Sequence, residues 1–363
     1  MPARPILERD LQQAADLYWN FLCERNGHAP PAACASFREL FFTSPLVDPA
    51  HPTLVYEKDG KIVGLVSIIA RKMSLNGRLV RVGFGGNLVV HPEARSGMAA
   101  ARLIGAYNTK QFDLCQTDST NAAARPFLER MGFAILPALN VHWFRPLRPA
   151  QYALYAIFHA GRASTSGVIN SLAKPFCSLA DKMAGKLASV PFRPTKSRLH
   201  ETELDAETLL QCQVEFRKGY TLWPEYDLDL LKWQLGFMER RRKRGCLRKV
   251  AVRDDSGKIV GFYIYYAKRG GIGEVVQICG DRRLTQDVLH HLLRDAWDQG
   301  AIALHGVVDN RRIPDFSNKD CLFTCRGGWA FSKSDNPEIL DALARGNAFF
   351  SRFDGEWALD PGE

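Results

Sequence analysis

The sequence predicts an α/β (α+β) protein of two similarly built domains, each a central mixed, mostly antiparallel sheet flanked by helices. Three observations lead there. The chain has 363 residues, long for one core and comfortable for two. Residues 53–71, TLVYEKDGKIVGLVSIIAR, alternate and then run apolar around an Asp-Gly turn, the pattern of a β-hairpin. Residues 248–268, RKVAVRDDSGKIVGFYIYYAK, repeat it and share the string GKIVG, and each copy leads into strand, helix and strand in the same order.

In the first half, Asp10 is placed to cap a helix that sets Leu11, Ala15, Tyr18 and Leu22 on one face. After the hairpin, an Asn76-Gly77 turn opens a long strand from Arg78 to Val90. Residues 96–110 form a helix with Ala100, Leu103, Ile104 and Tyr107 aligned, followed by a strand at 112–117. A short helix after Asn121 and a closing strand pair ending near NVHWFRP complete this half. The second half offers a helix near 204–217, the repeated hairpin, a strand at 274–280, a helix at 284–297 and a strand at 302–308. These elements place the domains at 1–147 and 201–363. Between them, 148–200 is a basic amphipathic linker that Pro175 breaks into two pieces.

Composition narrows the classes of function. The apolar and charged fractions, 46% and 24%, are those of a soluble globular protein, and no apolar run approaches the roughly 20 residues that span a bilayer. The N-terminus lacks an apolar signal segment, so a cytoplasmic location is expected. Nine cysteines without a CxxC pair indicate neither a disulfide framework nor a zinc site, and Cys321 and Cys325 lack a second pair to complete one. No metal is expected. The net charge of +9 is uneven: residues 151–200 hold seven Lys and Arg against the single acid Asp181, and a second cluster runs MERRRKRGCLRK at 238–249. Such patches suit an anionic partner or a membrane surface, or are simply solvated. Basic and aromatic residues are not interleaved, which argues against nucleic acid.

Two segments carry chemistry. Residues 87–104, NLVVHPEARSGMAAARLI, place a strand before an arginine and a run of small residues opening a helix, an arrangement that holds a diphosphate on main-chain amides. Residues 121–133, NAAARPFLERMGF, set Asn121, Ala124 and Phe127 along one helix and end in Gly132 before a strand. In this order and spacing the pair resembles the acyl-coenzyme A site of the GNAT acyltransferase superfamily. The resemblance covers the first 147 residues, with Arg95 at the first position of the loop motif and Ala100 at the last; Met98 replaces its central glycine, with Gly97 one place early.

The resemblance implies acetyl-CoA or another acyl-CoA as donor and a small amine as acceptor. It implies that the backbone of Leu88, Val89 and Val90 pairs with pantetheine, that amides of Ser96, Gly97, Met98, Ala99 and Ala100 hold the pyrophosphate, and that Asn121, Ala124 and Phe127 line the far side. The tyrosine that many members use as an acid is here Leu128. For the base, Asp118 ends the strand before Asn121 and His142 lies on the terminal strand; Asn87 and Glu57 are on neighbouring strands. Asp118 also reads as a turn or cap, and His91 as structural. The second half has ICGDRRLTQDV where a phosphate loop should lie, so it is expected to be a degenerate copy forming a scaffold and acceptor wall. The function expected is an N-acyltransferase. A Fem-type aminoacyl transferase and a non-catalytic acyl-CoA-binding protein are the alternatives.

Overall fold

The structure is a computed structural model and describes residues 3–95, 98–107, 111–122, 124–160, 181, 197–325 and 328–361. It divides into two compact units that interleave along the chain. The first unit comprises Met1–Asn140, Arg217–Met238 and Arg326–Glu363, and the second Val141–Phe216 and Glu239–Cys325. The domains expected at 1–147 and 201–363 follow chain order, whereas these units do not. Much of the expected linker at 148–200 lies outside the described residues, although Pro149–Ala160 is helical.

In chain order the strands are β1 Arg4–Pro5, β2 Leu54–Lys58, β3 Lys61–Leu75, β4 Arg78–Val90, β5 Leu114–Thr120, β6 Ala134–Ile135, β7 His142–Pro146, β8 His200–Glu203, β9 Leu222–Glu225, β10 Cys246–Arg253, β11 Ile259–Ala267, β12 Ile272–Gly280, β13 Ala303–Val307, β14 Leu322–Thr324 and β15 Trp329–Lys333. The first unit's sheet has the order β1-β2-β3-β4-β5-β15-β6, with β9 pairing β3 off that path. The expected Asn-Gly turn is present: Asn76 and Gly77 both have positive φ, 51° and 85°, and join β3 to β4. Alternation along β3 sends Val66, Ile68 and Ala70 to a core with Leu103, Ile104 and Tyr107 of the Ala99–Tyr107 helix, and Ser67, Ile69 and Arg71 to the opposite face. The Leu11–Phe21 helix starts where the sequence places it. Asp10, however, makes no cap bond; its carboxylate accepts the Leu7 N–H at 2.9 Å and pairs with Arg4.

The strand pair expected at the end of the first half is divided between the two sheets. β6 stays in the first unit, while β7 pairs with β13 and β14 in the second. The edge of β5 is taken instead by β15, antiparallel, with Phe331 opposite Thr117. Phe331 is fully buried in the first unit's core, so a strand from the end of the chain supplies apolar surface that β7 does not.

The second unit's sheet has the order β14-β7-β13-β12-β11-β10-β8. It shares features with the first: an antiparallel hairpin β10/β11, a bulge on the strand after it opposite Ile264 and Tyr265, and a parallel neighbour β13 reached through the Thr285–Asp298 helix. Its core gathers Trp143, Tyr263, Tyr265, Leu289, Leu292 and Leu304. In the basic cluster, Lys249 pairs with Glu239 at 2.5 Å, Arg248 with Asp295 at 3.0 Å and Arg244 with Glu274 at 3.3 Å, so part of its charge is neutralised locally. Among the described residues no helix is long and apolar enough to cross a membrane.

Candidate functional site

β4 and β5 run parallel and pair only from Val82–Leu114 to Phe84–Gln116, then part. A single hydroxyl sits in the fork. Tyr107 Oη accepts the Gly85 N–H at 3.1 Å and lies 2.6 Å from the Gly83 carbonyl and 3.0 Å from the Gln116 carbonyl, so it satisfies main-chain groups that the ladder abandons there. Gly85 is needed for that approach, because a Cβ on it would stand 2.7 Å from the Tyr107 ring. Beyond the fork, Val89 and Val90 pair with Leu65 and Gly64 of β3 on one side, and the ladder to β5 on the other side has ended. That is the edge a pantetheine chain would extend.

A bulge turns this edge into a site. Between Leu65 and Ser67 of β3 the register shifts by one residue on β4, at Asn87, whose φ is +49°. Asparagine tolerates that left-handed conformation, and its side-chain nitrogen donates to Ser67 Oγ at 3.2 Å. The displaced Asn87 N–H then donates to the Glu356 carboxylate at 2.6 Å. The other Glu356 oxygen accepts from the Ser119 hydroxyl on β5. Glu356 can come this close because its neighbour on β4 is a glycine: a Cβ at Gly86 would overlap the carboxylate.

Asp118 lies beside Glu356. Cys115 belongs to the core under the Ala99–Tyr107 helix, so Asp118, three residues on, falls on the other face of β5. Its Oδ2 accepts the Trp357 N–H at 3.5 Å, and a Cβ on Gly355 would collide with it, which fixes the 355–357 segment against the strand. Its Oδ1 is shielded from solvent and has no hydrogen-bond partner among the described residues. Both carboxyl groups are half-buried. Burial pushes Asp118 above the ordinary carboxylate range, and burial together with the charge of Asp118 pushes Glu356 up further. Two acids whose proton affinities are raised in this way are suited to accept and return a proton.

The other residues singled out by sequence fall as follows. Met98 is exposed (61%) and its carbonyl accepts the Arg102 N–H, so it heads the helix with its side chain in solvent. Ala99 and Ala100 form the first helical turn, while Ser96 and Gly97 lie outside the described residues. Arg95 is exposed and its Nε donates to the Val90 carbonyl at 3.1 Å, tying the loop to the end of β4. Asn121 accepts the Ala124 N–H at 3.0 Å, heading the Arg125–Arg130 helix; Phe127 packs on the core, and Leu128 is 4% exposed within it. His142 is built into the second unit's sheet, opposite Val307 and stacked on His305, and the carboxylate pair in the first unit is made without it. Glu57 is engaged by Arg4 at 2.6 Å, and His91 accepts the Glu93 N–H at 3.4 Å.

Sequence reasoning singled out Asp118 and did not single out Glu356. Glu356 lies in the GEW tripeptide at 355–357, and nothing local says that it meets a bulge 269 residues earlier.

Residues 11–133 match the sequence model of the Acetyltransferase (GNAT) family. No curated protein sequence matches the chain. Among solved structures it is similar to a conserved protein from Enterococcus faecalis described as a "probable N-acyltransferase" (TM-score 0.59, 10% identity, covering 92% of this chain and 72% of that one). It is also similar to a GCN5-related N-acetyltransferase from Anabaena variabilis (TM-score 0.57, 12% identity, 94% and 74% covered). A third likeness is to the N-myristoyltransferase of Saccharomyces cerevisiae solved with myristoyl-CoA (TM-score 0.50, 12% identity, 91% and 77% covered). At these identities the likeness is one of fold.

Proposed function

We propose, from the premise that residues 11–133 belong to the GNAT acetyltransferase family, that this protein is an N-acyltransferase moving an acyl group from coenzyme A to a small amine. The observation that carries the reading is the half-buried pair Asp118 and Glu356 at the parting of β4 and β5.

In this reading pantetheine extends β4 along Leu88, Val89 and Val90, and the pyrophosphate rests on the start of the Ala99–Tyr107 helix beside Arg95. The thioester then lies at the bulge. An ammonium acceptor gives a proton to the pair, and its nitrogen attacks the thioester carbon. The nitrogen of the tetrahedral intermediate loses its second proton to solvent, and the intermediate then expels the thiolate, the C–S bond breaking as the C=O bond re-forms. The proton held by the pair is available to the departing sulfur, so no separate tyrosine acid is required at Leu128. Approach of the two reactants in fixed geometry supplies the rest of the acceleration.

The test is release of coenzyme A thiol from a series of acyl-CoA donors with mixed amines. Glu356→Gln should lower kcat by about 100- to 10,000-fold, the range of general acid–base catalysis, while donor affinity is retained. Full activity in both Glu356→Gln and Asp118→Asn would remove the pair from the reaction.

A further inference from the structure

Arg71 is 5% exposed and is charged in a place where charge is costly. Its Nε donates to the Asp354 carbonyl at 3.1 Å, and its Nη2 donates to Gln234 Oε1 at 2.9 Å and reaches the Phe353 carbonyl at 3.4 Å. None of these partners is a carboxylate. The nearest acid, Asp354, spends its oxygens on the Tyr226 hydroxyl and on the N–H and hydroxyl of Ser351. Arg71 Nη1 is buried and has no hydrogen-bond partner among the described residues.

Asp118 presents the complementary case, with a buried Oδ1 that likewise has no partner. Arg71 on β3 and Asp118 on β5 fall on the same face of one sheet, the face opposite the Ala99–Tyr107 helix; the charge of Asp118 reaches Arg71, and that of Arg352 reaches Asp118. Arg71 and Asp118 do not bond to each other. A buried donor and a buried acceptor of opposite charge are thus both left without a hydrogen-bond partner on one face of the sheet. Leaving such groups unmade costs stability that a folded protein recovers only when something fills the gap.

We infer that the acceptor is an amino acid-like zwitterion, whose amine meets Asp118 Oδ1 and whose carboxylate meets Arg71 Nη1. The inference deepens the proposed acyl transfer and rests on it for the identity of the second substrate. Arg71 is then a specificity-determining residue: it anchors the acceptor and takes no part in bond making. Its guanidinium suits the role because two of its nitrogens are already fixed by main-chain and amide oxygens, so the third is held still before the ligand arrives.

The experiment uses the full-length protein with glycine, leucine, lysine, β-alanine and γ-aminobutyrate, each beside its carboxamide. It reads acceptor binding by calorimetry and thiol release from the best donor. At least one acid should exceed its carboxamide by about 10- to 100-fold in affinity and in kcat/KM, the value of one charge-assisted hydrogen bond. Arg71→Met should abolish that ratio through KM while donor affinity is retained; Arg71→Lys should keep part of it. Equal treatment of acid and carboxamide by the wild-type protein overturns the inference, as does a ratio that persists in Arg71→Met. If Arg71→Met does not fold, the wild-type ratio and Arg71→Lys decide. If acid over carboxamide is preferred in binding and lost in the variant, yet no amine releases thiol, the anion site at Arg71 stands and the transfer reaction is what fails.

Discussion

The carboxylate of Glu356 accepts the main-chain N–H of Asn87 at 2.6 Å, across 269 residues of sequence. The bulge frees that N–H, the glycine at 86 makes room for the acid, and Asp118 raises its proton affinity. The first two contributions come from β4, the third from β5 and the acid from the last residues of the first unit, and the function proposed for the protein depends on their meeting.

Stability should carry the mark of this pair. Glu356 holds its proton more tightly when folded than the ordinary value of 4.5 for an unfolded chain. Between that value and the higher folded one the native state binds more protons, so stability falls as pH rises through this window. Thermal denaturation across pH should show the decline in the wild-type protein, with Glu356→Gln shallower and at least as stable at neutral pH. A wild-type profile that rises with pH over the same interval would contradict the raised proton affinity of Glu356.

Catalysis should run the opposite way. The pair must have lost a proton to accept one from the amine, so the acid limb of kcat should lie above the usual carboxylate range and move toward it in Asp118→Asn, where the repelling charge is gone. An acid limb unmoved by that substitution would separate Asp118 from the titration.

Tyr107→Phe should destabilise the first unit by about 1–3 kcal/mol, because the Gly85 N–H loses the hydroxyl that accepts it and the Gly83 and Gln116 carbonyls lose a neighbouring hydroxyl in a buried place. Chemical denaturation measures it. A neutral result would mean that water takes the place of the hydroxyl, and the fork would be wider than described.

Arg95→Glu should weaken acyl-CoA binding by about 1.5–3 kcal/mol, the worth of a charge-assisted hydrogen bond to phosphate, without changing the melting temperature much, since Arg95 is exposed. Calorimetric titration decides. Unchanged affinity would move the pyrophosphate away from this loop.

One acyl-CoA should bind per chain. In the second unit the residues after β12 are Asp281, Arg282 and Arg283, and the Asp281 carboxylate already accepts the Arg283 N–H at 2.8 Å, so an acid occupies an amide that a phosphate would need. Native mass spectrometry should saturate at a single equivalent; two equal sites would show that this loop also binds.

The sequence by itself determined the elements and singled out the two segments proposed to hold the donor. The hairpins, the strand Arg78–Val90, the Ala99–Tyr107 helix and its small-residue start were readable because turn chemistry and apolar periodicity act over a few residues. Asp118 was legible for the same reason, at the end of its own strand. Only the tertiary structure decided which strand closes which sheet. β7 and β15 are both five-residue strands; β15 pairs with β5 and β7 with β13, with Phe331 in one core and Trp143 in the other. That choice carries the end of the chain to β4 and β5. Glu356 and Arg71 became visible only there, because a bond spanning hundreds of residues leaves no period, spacing or local propensity in the sequence that encodes it.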